Sequence, residues 1–129
     1  MKIHESAEDY LEMILMLSES KGEVRSVDIA AELGVTKPSV SVAMKQLREN
    51  GYIRMDKDNL ITLTDAGMEI AQRIYTRHKV LTQYLMQLGV DEQTAAEDAC
   101  KAEHILSEQT LEKIRESALR NDAAHPQAK

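Results

Sequence analysis

Two short helical patterns separated by a glycine-containing turn are followed directly by two β-rich segments, and this order constrains the fold more than any other feature of the sequence. The first pattern covers residues 26–33, with Ser26 as the predicted N-cap and Gly34 as the stop. The second begins after Thr36, a good capping residue, and closes at Asn50-Gly51. Two helices joined in this way are typical of a helix-turn-helix, whose second helix enters a DNA major groove.

The two β-rich segments are predicted to form a hairpin. They cover residues 52–55 and 60–63, and the polar residues at 56–59 favour a turn that tolerates positive φ. A hairpin directly after a helix-turn-helix is the layout of a winged helix. We therefore predict a mainly α fold in which residues 1–64 form an N-terminal winged helix-turn-helix that binds DNA.

Four further helical patterns lie outside this core. One precedes it, at residues 5–20, and its apolar side chains recur at helical spacing. The predicted helices that follow it are a long one capped by Thr64 or Asp65, a second opened by Asp91 and running to about Ile105, and a last one opened by Ser107. The long helix exceeds what a winged helix needs, so residues 65–129 are predicted to form a second, all-α domain.

The charge distribution is compatible with DNA binding although the total is acidic. The formal net charge is −6, the wrong sign for a protein that binds nucleic acid only by being basic. Residues 21–57, however, hold seven basic and five acidic side chains, while the rest of the chain holds nine basic and seventeen acidic ones. A mildly basic winged helix is thus flanked by acidic helices, although ordinary solvated faces would give a difference of this size as well.

The cysteine content and the N-terminal sequence predict a cytoplasmic protein without a membrane partner. Cys100 is the single cysteine and cannot form an internal disulfide, which suits a reducing compartment. The first ten residues carry three acidic side chains and no apolar stretch, and no later segment is as long and apolar as a membrane span.

Carboxylate, imidazole and thiol side chains in the outer helices form a possible donor set for a first-row transition metal. Two sets of these residues are spaced three or four positions apart, so the members of each set share one helix face. One set is on the first helix and the other is at 100–104. Taken singly, each residue also fits an ordinary role, as a solvated acid, a polar-face histidine or a small buried cysteine. The candidate ligands are Asp9 and Glu12 on the first helix, His78 on the long helix, and Cys100, Glu103 and His104 on the helix after it.

Five short motifs occur in a fixed order along the chain: AEDYLE at 7–12, KPSVS at 37–41, LTDAG at 63–67, RH at 77–78 and CKAEH at 100–104. Together they resemble the diphtheria toxin repressor and manganese transport regulator family of metal-dependent bacterial repressors. The resemblance covers roughly residues 5–118. We expect a short form of the family, because the residues after the resemblance are too few for the SH3-like domain of the long iron-type members.

The resemblance implies a homodimeric repressor that controls metal-homeostasis genes, with the carboxy-terminal helices as the dimer interface. It implies Mn²⁺ or Fe²⁺ as the cofactor, with Co²⁺ or Zn²⁺ able to bind in vitro. By position, the ligands of manganese-type members correspond to Asp9, Glu12, His78, Glu103 and His104. Cys100 departs from that branch, which has Glu there, and agrees with the iron-type repressors, so this chain is a hybrid of the two.

The predicted partner is a double-stranded, roughly palindromic DNA operator. Short hydroxyl side chains discriminate bases weakly, so phosphate contacts and DNA shape are expected to supply much of the affinity. Val40, Met44 and Leu47 are assigned to the core. The predicted DNA contacts are Thr36, Lys37, Ser39, Ser41 and Lys45 of the second helix of the motif, with Arg25 and Lys57 as secondary candidates.

There are two alternative interpretations of the sequence. One is a winged-helix regulator that responds to a small organic ligand or to oxidation of Cys100, and not to a metal. The other is a carboxylate-bridged di-metal enzyme, which requires Glu-x-x-His on two helices. Lys101 and Tyr75 occupy the positions three before His104 and His78, so that pattern is absent and no enzyme is expected.

Overall fold

The computed structural model describes residues 5–124 and is mainly α-helical, as predicted. The chain divides into two compact units, residues 1–73 and 74–129. Among the described residues, no helix has the length and apolarity needed to span a membrane. The elements in chain order are α1 (Glu5–Lys21), α2 (Ser26–Leu33), α3 (Lys37–Glu49), β1 (Ile53–Met55), β2 (Ile61–Leu63), α4 (Asp65–Gln87), α5 (Glu92–Ala102) and α6 (Glu108–Ala124).

The first unit has the predicted winged helix-turn-helix, in which α1 packs against α2, α3 and β2. Its core is aliphatic, since apolar side chains recur on one face of each helix and on one side of the hairpin. The three residues assigned to the core of α3 are indeed buried. The largest fully buried side chains of this unit are Leu11, Ile14, Val24, Ile29, Val40, Met44 and Ile53.

The predicted N-cap of α2 was wrong by one residue. Ser26 is the first residue of the helix, and Arg25 occupies the N-cap position with extended backbone angles. The carboxylate of Asp28 accepts a hydrogen bond from the Arg25 backbone N–H at 2.9 Å and pairs with Lys21 Nζ at 2.6 Å. The start of this helix is therefore stabilised by an acidic side chain in the first turn and not by a serine hydroxyl. Gly34 ends the helix as predicted, with φ of 66°.

The second helix of the motif and the hairpin follow the sequence prediction. Thr36 caps α3, because its Oγ1 accepts a hydrogen bond from the Ser39 backbone N–H at 3.2 Å. β1 and β2 are antiparallel, with Arg54 opposite Thr62. Between them Asn59 adopts φ of 63°, the left-handed conformation that the polar turn was expected to allow.

Hydrogen bonds of Thr64 connect the base of the hairpin to the start of α4. Thr64 donates its hydroxyl hydrogen to the Gly51 carbonyl at 2.6 Å, and the same hydroxyl oxygen accepts from the Gly67 N–H at 3.2 Å. Gly67 lies so close to the hairpin that an added Cβ would be 2.0 Å from the Tyr52 carbonyl oxygen. The glycine is therefore required for this contact, and Thr64, one of the two predicted caps, is the residue that caps α4.

The second unit is built around Leu81, Ala99 and Leu111, with Leu106 and Ile114 packed against them. Two predicted caps are confirmed in this unit. The Asp91 carboxylate accepts a hydrogen bond from the Thr94 N–H at 3.1 Å, and the Ser107 hydroxyl accepts one from the Thr110 N–H at 3.1 Å. The hydrogen bond from Thr94 lowers the pKa of Asp91 below its ordinary value.

Candidate metal centre and DNA-binding surface

Glu103 is the most deeply buried of the acidic residues whose burial the structure describes in the second unit. Its exposed fraction is 0%, and it stands at the C-cap of α5. The prediction that this helix runs to about Ile105 was wrong, because α5 ends at Ala102. Glu103 nevertheless keeps helical backbone angles, and its N–H donates to the Ala99 carbonyl at 2.9 Å.

Two predicted histidine ligands lie on either side of the Glu103 carboxylate. His78 Nδ1 on α4 is 3.1 Å from Oε2, and His104 Nε2 is 3.5 Å from Oε1. The two imidazoles are largely buried, with exposed side-chain fractions of 19% and 3%. The structure therefore brings three of the predicted ligands of this unit together.

Cys100 supplies a sulfur atom beside the same carboxylate. Its Sγ lies within 4.8 Å of a Glu103 carboxylate oxygen, and the residue is exposed. Within the second unit, two imidazoles and one thiol thus each lie beside the carboxylate of Glu103. These donors suit divalent iron and softer first-row ions, while the carboxylate also suits Mn²⁺.

One oxygen of Glu103 accepts no hydrogen bond from the described residues, which is compatible with a site for a cation. Oε1 of Glu103 is buried and accepts no hydrogen bond within the described part of the chain. A buried carboxylate oxygen without a donor is costly unless a positive charge faces it. A divalent ion bound by Glu103 and the neighbouring imidazoles would supply that charge.

Asp9 and Glu12 belong to the first unit. They lie three residues apart on α1, so they share a helix face, as the sequence analysis proposed. Asp9 is partly exposed, whereas Glu12 is buried with an exposed fraction of 5%. Burial of an acidic side chain on a surface helix argues against a merely solvated acidic face. Their role as metal ligands stays a prediction.

All seven predicted DNA contacts are exposed on the first unit, as a DNA-binding role requires. The hydroxyl of Thr36 already makes two hydrogen bonds, because it caps α3 and also donates to Ser39 Oγ at 2.8 Å. Ser39 keeps its own O–H available as a donor. Arg25 lies 3.7 Å from the Glu23 carboxylate, an exposed pair that contact with a phosphate could replace.

Two further residues lie beside the candidate site residues, and the sequence did not point to either of them. Val42 is 59% exposed on α3, in the same stretch as the predicted contacts, although an exposed valine gives no signal in a pattern of apolar spacing. Arg77 was noted only as the neighbour of His78. Its Nη1 donates to the Glu103 carbonyl at 2.9 Å, a contact across 26 residues that spacing could not predict.

Comparison with protein families gives two matches that together cover nearly the whole chain. Residues 2–60 match the iron dependent repressor N-terminal DNA binding domain. Residues 64–126 match the iron dependent repressor metal binding and dimerisation domain. The candidate ligands His78, Cys100, Glu103 and His104 all fall in the second match, and the seven predicted DNA contacts fall in the first.

Individual relatives are transcriptional regulators. An uncharacterized HTH-type transcriptional regulator of Methanocaldococcus jannaschii is 38% identical over 86% of this chain and 90% of its own length. The transcriptional regulator MntR of Escherichia coli O157:H7 is 40% identical over 86% of this chain and 72% of its own. The MntR of Bacillus subtilis is 38% identical over 84% of this chain and 77% of its own.

Solved structures agree with this grouping. A manganese-dependent transcriptional repressor in complex with manganese superposes with a TM-score of 0.79 at 29% identity, over 87% of this chain and 52% of the other. IdeR of T. acidophilum gives a TM-score of 0.79 at 25% identity, over 91% and 55%. The chain therefore spans about half the length of these solved relatives. On the evidence of both domain matches and of these relatives, the chain belongs to the iron-dependent repressor family of metal-binding, DNA-binding transcriptional regulators.

Proposed function

We propose that this protein is a transcriptional repressor whose affinity for its operator depends on a bound divalent metal, Mn²⁺ or Fe²⁺. The observation that carries the proposal is the buried Glu103 carboxylate, with histidine nitrogens at 3.1 Å and 3.5 Å and one oxygen that accepts no hydrogen bond from the described residues. The relatives named as manganese-dependent or MntR regulators support the choice of ion class.

His78, Cys100, Glu103 and His104 are the residues of the second unit that would hold the ion. We propose Asp9 and Glu12 of α1 as further ligands, on the basis of their residue type and their motif. When bound, the ion supplies positive charge to carboxylates that otherwise repel one another. Thiolate sulfur favours softer ions, whereas carboxylate oxygen suits Mn²⁺. Cys100 is therefore proposed to shift the metal preference towards Fe²⁺.

The metal can regulate DNA binding only through a difference in affinity between two states of the protein. We propose that charge compensation at Asp9, Glu12 and Glu103 favours the state that binds DNA. A coupling of about 1–3 kcal/mol would be typical for such regulation. By reciprocity, operator DNA would then raise the affinity for the metal by the same factor.

DNA recognition is assigned to α3, with Lys37 and Lys45 neutralising phosphates and Ser39 and Ser41 facing bases or phosphates. We propose a homodimer, which would require a roughly palindromic operator with a half-site spacing fixed by the two-fold axis. We further propose that the protein acts in the cytoplasm on metal-uptake or efflux genes. No catalytic activity is proposed, and the named relatives are regulators.

The test is operator binding measured by fluorescence anisotropy with promoter DNA from the protein's own locus. The protein is first treated with a chelator, and Mn²⁺, Fe²⁺ under anaerobic conditions, Co²⁺ and Zn²⁺ are then added singly. We expect one ion to raise the affinity tenfold or more, which is about 1.4 kcal/mol of coupling. Equal binding by the chelated protein would instead establish a regulator that responds to another ligand or to oxidation of Cys100.

The metal preference is tested by exchanging the one ligand that departs from the manganese branch. In Cys100→Glu, the order of affinities should move from Fe²⁺ towards Mn²⁺, because a hard oxygen replaces a soft sulfur. Glu97→Gln, an exposed substitution on the same helix, serves as the matched control. An unchanged order of affinities would remove Cys100 from selectivity while leaving the switch itself intact.

A further inference from the structure

We propose that Arg77 is a positioning residue that fixes the turn carrying Glu103 and His104, and that it thereby sets the affinity of the metal centre. This inference rests on the proposed function, because it concerns how that site is held. It adds a residue that lies outside the donor set, since a guanidinium cannot bind a cation. The observations that carry it are all contacts within the second unit.

The guanidinium of Arg77 makes two polar contacts at the end of α5 and the start of α6. Nη1 donates to the Glu103 carbonyl at 2.9 Å, and Nη2 pairs with the Glu108 carboxylate. The arginine side chain is only 16% exposed, and its Nε is buried with no hydrogen-bond partner in the described part of the chain. A charge so largely removed from water depends on these two partners.

The Glu103 carbonyl is one of the helix-end acceptors that lack an intrahelical donor. If α5 continued, the N–H of Ser107 would take this position, but Ser107 instead begins the next helix by capping α6. Arg77 Nη1 replaces the missing N–H. The arginine therefore allows α5 to end at Ala102 and stabilises the turn that follows, in which the Leu106 N–H returns to the Ala102 carbonyl at 3.2 Å.

Two adjacent residues of α4 thus hold Glu103 at two points. Arg77 binds its main-chain carbonyl, and His78 Nδ1 lies 3.1 Å from its carboxylate. Removing the arginine would leave the side-chain contact but release the main chain that carries both Glu103 and His104. Glu108 is 78% exposed, so its part is to orient the guanidinium and not to fill the core.

The experiment is calorimetric titration of Mn²⁺ into the full-length chain and its variants. Arg77→Met should weaken Mn²⁺ binding by about 10- to 100-fold, as loss of a group that orients metal ligands does. Arg77→Lys should be intermediate, because an ammonium can keep one of the two contacts. Glu108→Gln, at an exposed position, should weaken binding about two- to fivefold. The control Arg115→Met removes an exposed arginine of α6 and should stay within about twofold.

The absorption spectrum of bound Co²⁺ separates positioning from general stability. A shifted ligand arrangement should change the ligand-field bands in Arg77→Met, and Arg77→Lys should restore them in part. A purely structural role would lower the unfolding temperature of the chelated protein and leave the Co²⁺ spectrum unchanged, which would overturn the proposal.

The remaining outcomes are also decisive. If Arg77→Met does not fold, Glu108→Gln decides, because an exposed substitution leaves the core intact. Variants that bind Mn²⁺ as tightly as the wild type would overturn the role of Arg77 and leave the metal site standing. A wild-type protein that binds none of the four ions would overturn the proposed function itself.

Discussion

His78 Nδ1 lies 3.1 Å from Glu103 Oε2, although 25 residues separate the two in the chain. Both residues are candidate metal ligands, and Glu103 belongs to both groups of side chains that could hold an ion. Glu103→Gln keeps the size of the side chain but removes its negative charge, so Mn²⁺ affinity should fall by roughly 100-fold, or ~2.7 kcal/mol. Calorimetric titration measures the change. Glu112→Gln, an exposed substitution on α6, should leave the affinity unaltered. If both variants bind alike, Glu103 is not a ligand.

A second prediction concerns the junction of the hairpin and α4. In Gly67→Ala the new Cβ would lie 2.0 Å from the Tyr52 carbonyl oxygen, so the hairpin must shift. We expect a loss of about 1–3 kcal/mol in the free energy of unfolding, measured by urea denaturation. The sign of this change in the free energy of unfolding is diagnostic, because a Gly to Ala substitution inside an unobstructed helix would stabilise the protein by up to ~1 kcal/mol. Glu69→Ala, exposed on the same helix, should change stability by less than ~0.5 kcal/mol.

The helices and the hairpin could be predicted because their signals are local. Thr36, Asp91 and Ser107 cap helices through their own side chains, and a cap acts on a backbone N–H only three residues away. The wrong end predicted for α5 has a non-local cause. α5 ends earlier than predicted because the guanidinium of Arg77 on α4 donates to the Glu103 carbonyl in place of the next helical N–H. The spacing of residues along the chain gives no signal for a contact between residues so far apart.

The identity of the metal ligands stays a prediction, and the structure differs from the arrangement that their spacing predicted. The spacing of Cys100, Glu103 and His104 placed them on one helix face, whereas the structure puts Glu103 at the helix end and His104 beyond it. Cys100 and His104 nevertheless each lie beside the Glu103 carboxylate, because Glu103 keeps helical backbone angles. The contribution of Arg77 had no local signal, because the carbonyl to which it donates lies 26 residues further along the chain.

A third prediction follows from the ion pair at the start of α2. The hydrogen bond from Lys21 Nζ, followed by that from the Arg25 N–H, holds the pKa of Asp28 below its ordinary value of 3.8. Folding thus favours the ionised carboxylate, so its stabilising effect is complete above pH 3.8 and is lost as the pH falls through the lower, folded pKa.

Asp28→Asn tests this dependence. The variant should be less stable by about 0.5–1 kcal/mol at neutral pH, since the ion pair is partly exposed and screened by solvent. The difference from the wild type should shrink as the pH is lowered below the ordinary Asp value. Thermal unfolding across the acid range measures it, with Glu32→Gln, exposed on the same helix, as the control. A difference that stays constant with pH would contradict the assignment.

A fourth prediction concerns phosphate contact by Lys45, which is exposed on α3. Lys45→Ala should weaken binding on all DNA sequences alike and reduce the slope of log affinity against log salt by about 0.9 for one lost phosphate contact. Anisotropy titrations at several salt concentrations measure the slope. Lys113→Ala removes a lysine of the second unit and should leave it unchanged. An unchanged slope in Lys45→Ala would remove Lys45 from the contact surface.

A fifth prediction concerns Val42, whose side chain is 59% exposed on α3 between the predicted contacts Ser41 and Lys45. An exposed apolar group on a recognition helix can contact the methyl group of thymine in the major groove. Val42→Ala removes two methyl groups of that surface and should weaken operator binding by about 1 kcal/mol.

The control for Val42 uses the DNA. Replacing thymine with deoxyuridine removes only the methyl group, so it should weaken binding by the wild type and have little effect on Val42→Ala. Anisotropy titrations of both proteins on both DNAs complete a double-mutant cycle, in which a shared contact appears as a non-additive effect. The salt slope should not change, because no charge is involved. Additive losses would mean that Val42 and the thymine methyl groups do not meet, and base discrimination would then rest on the serine hydroxyls and DNA shape.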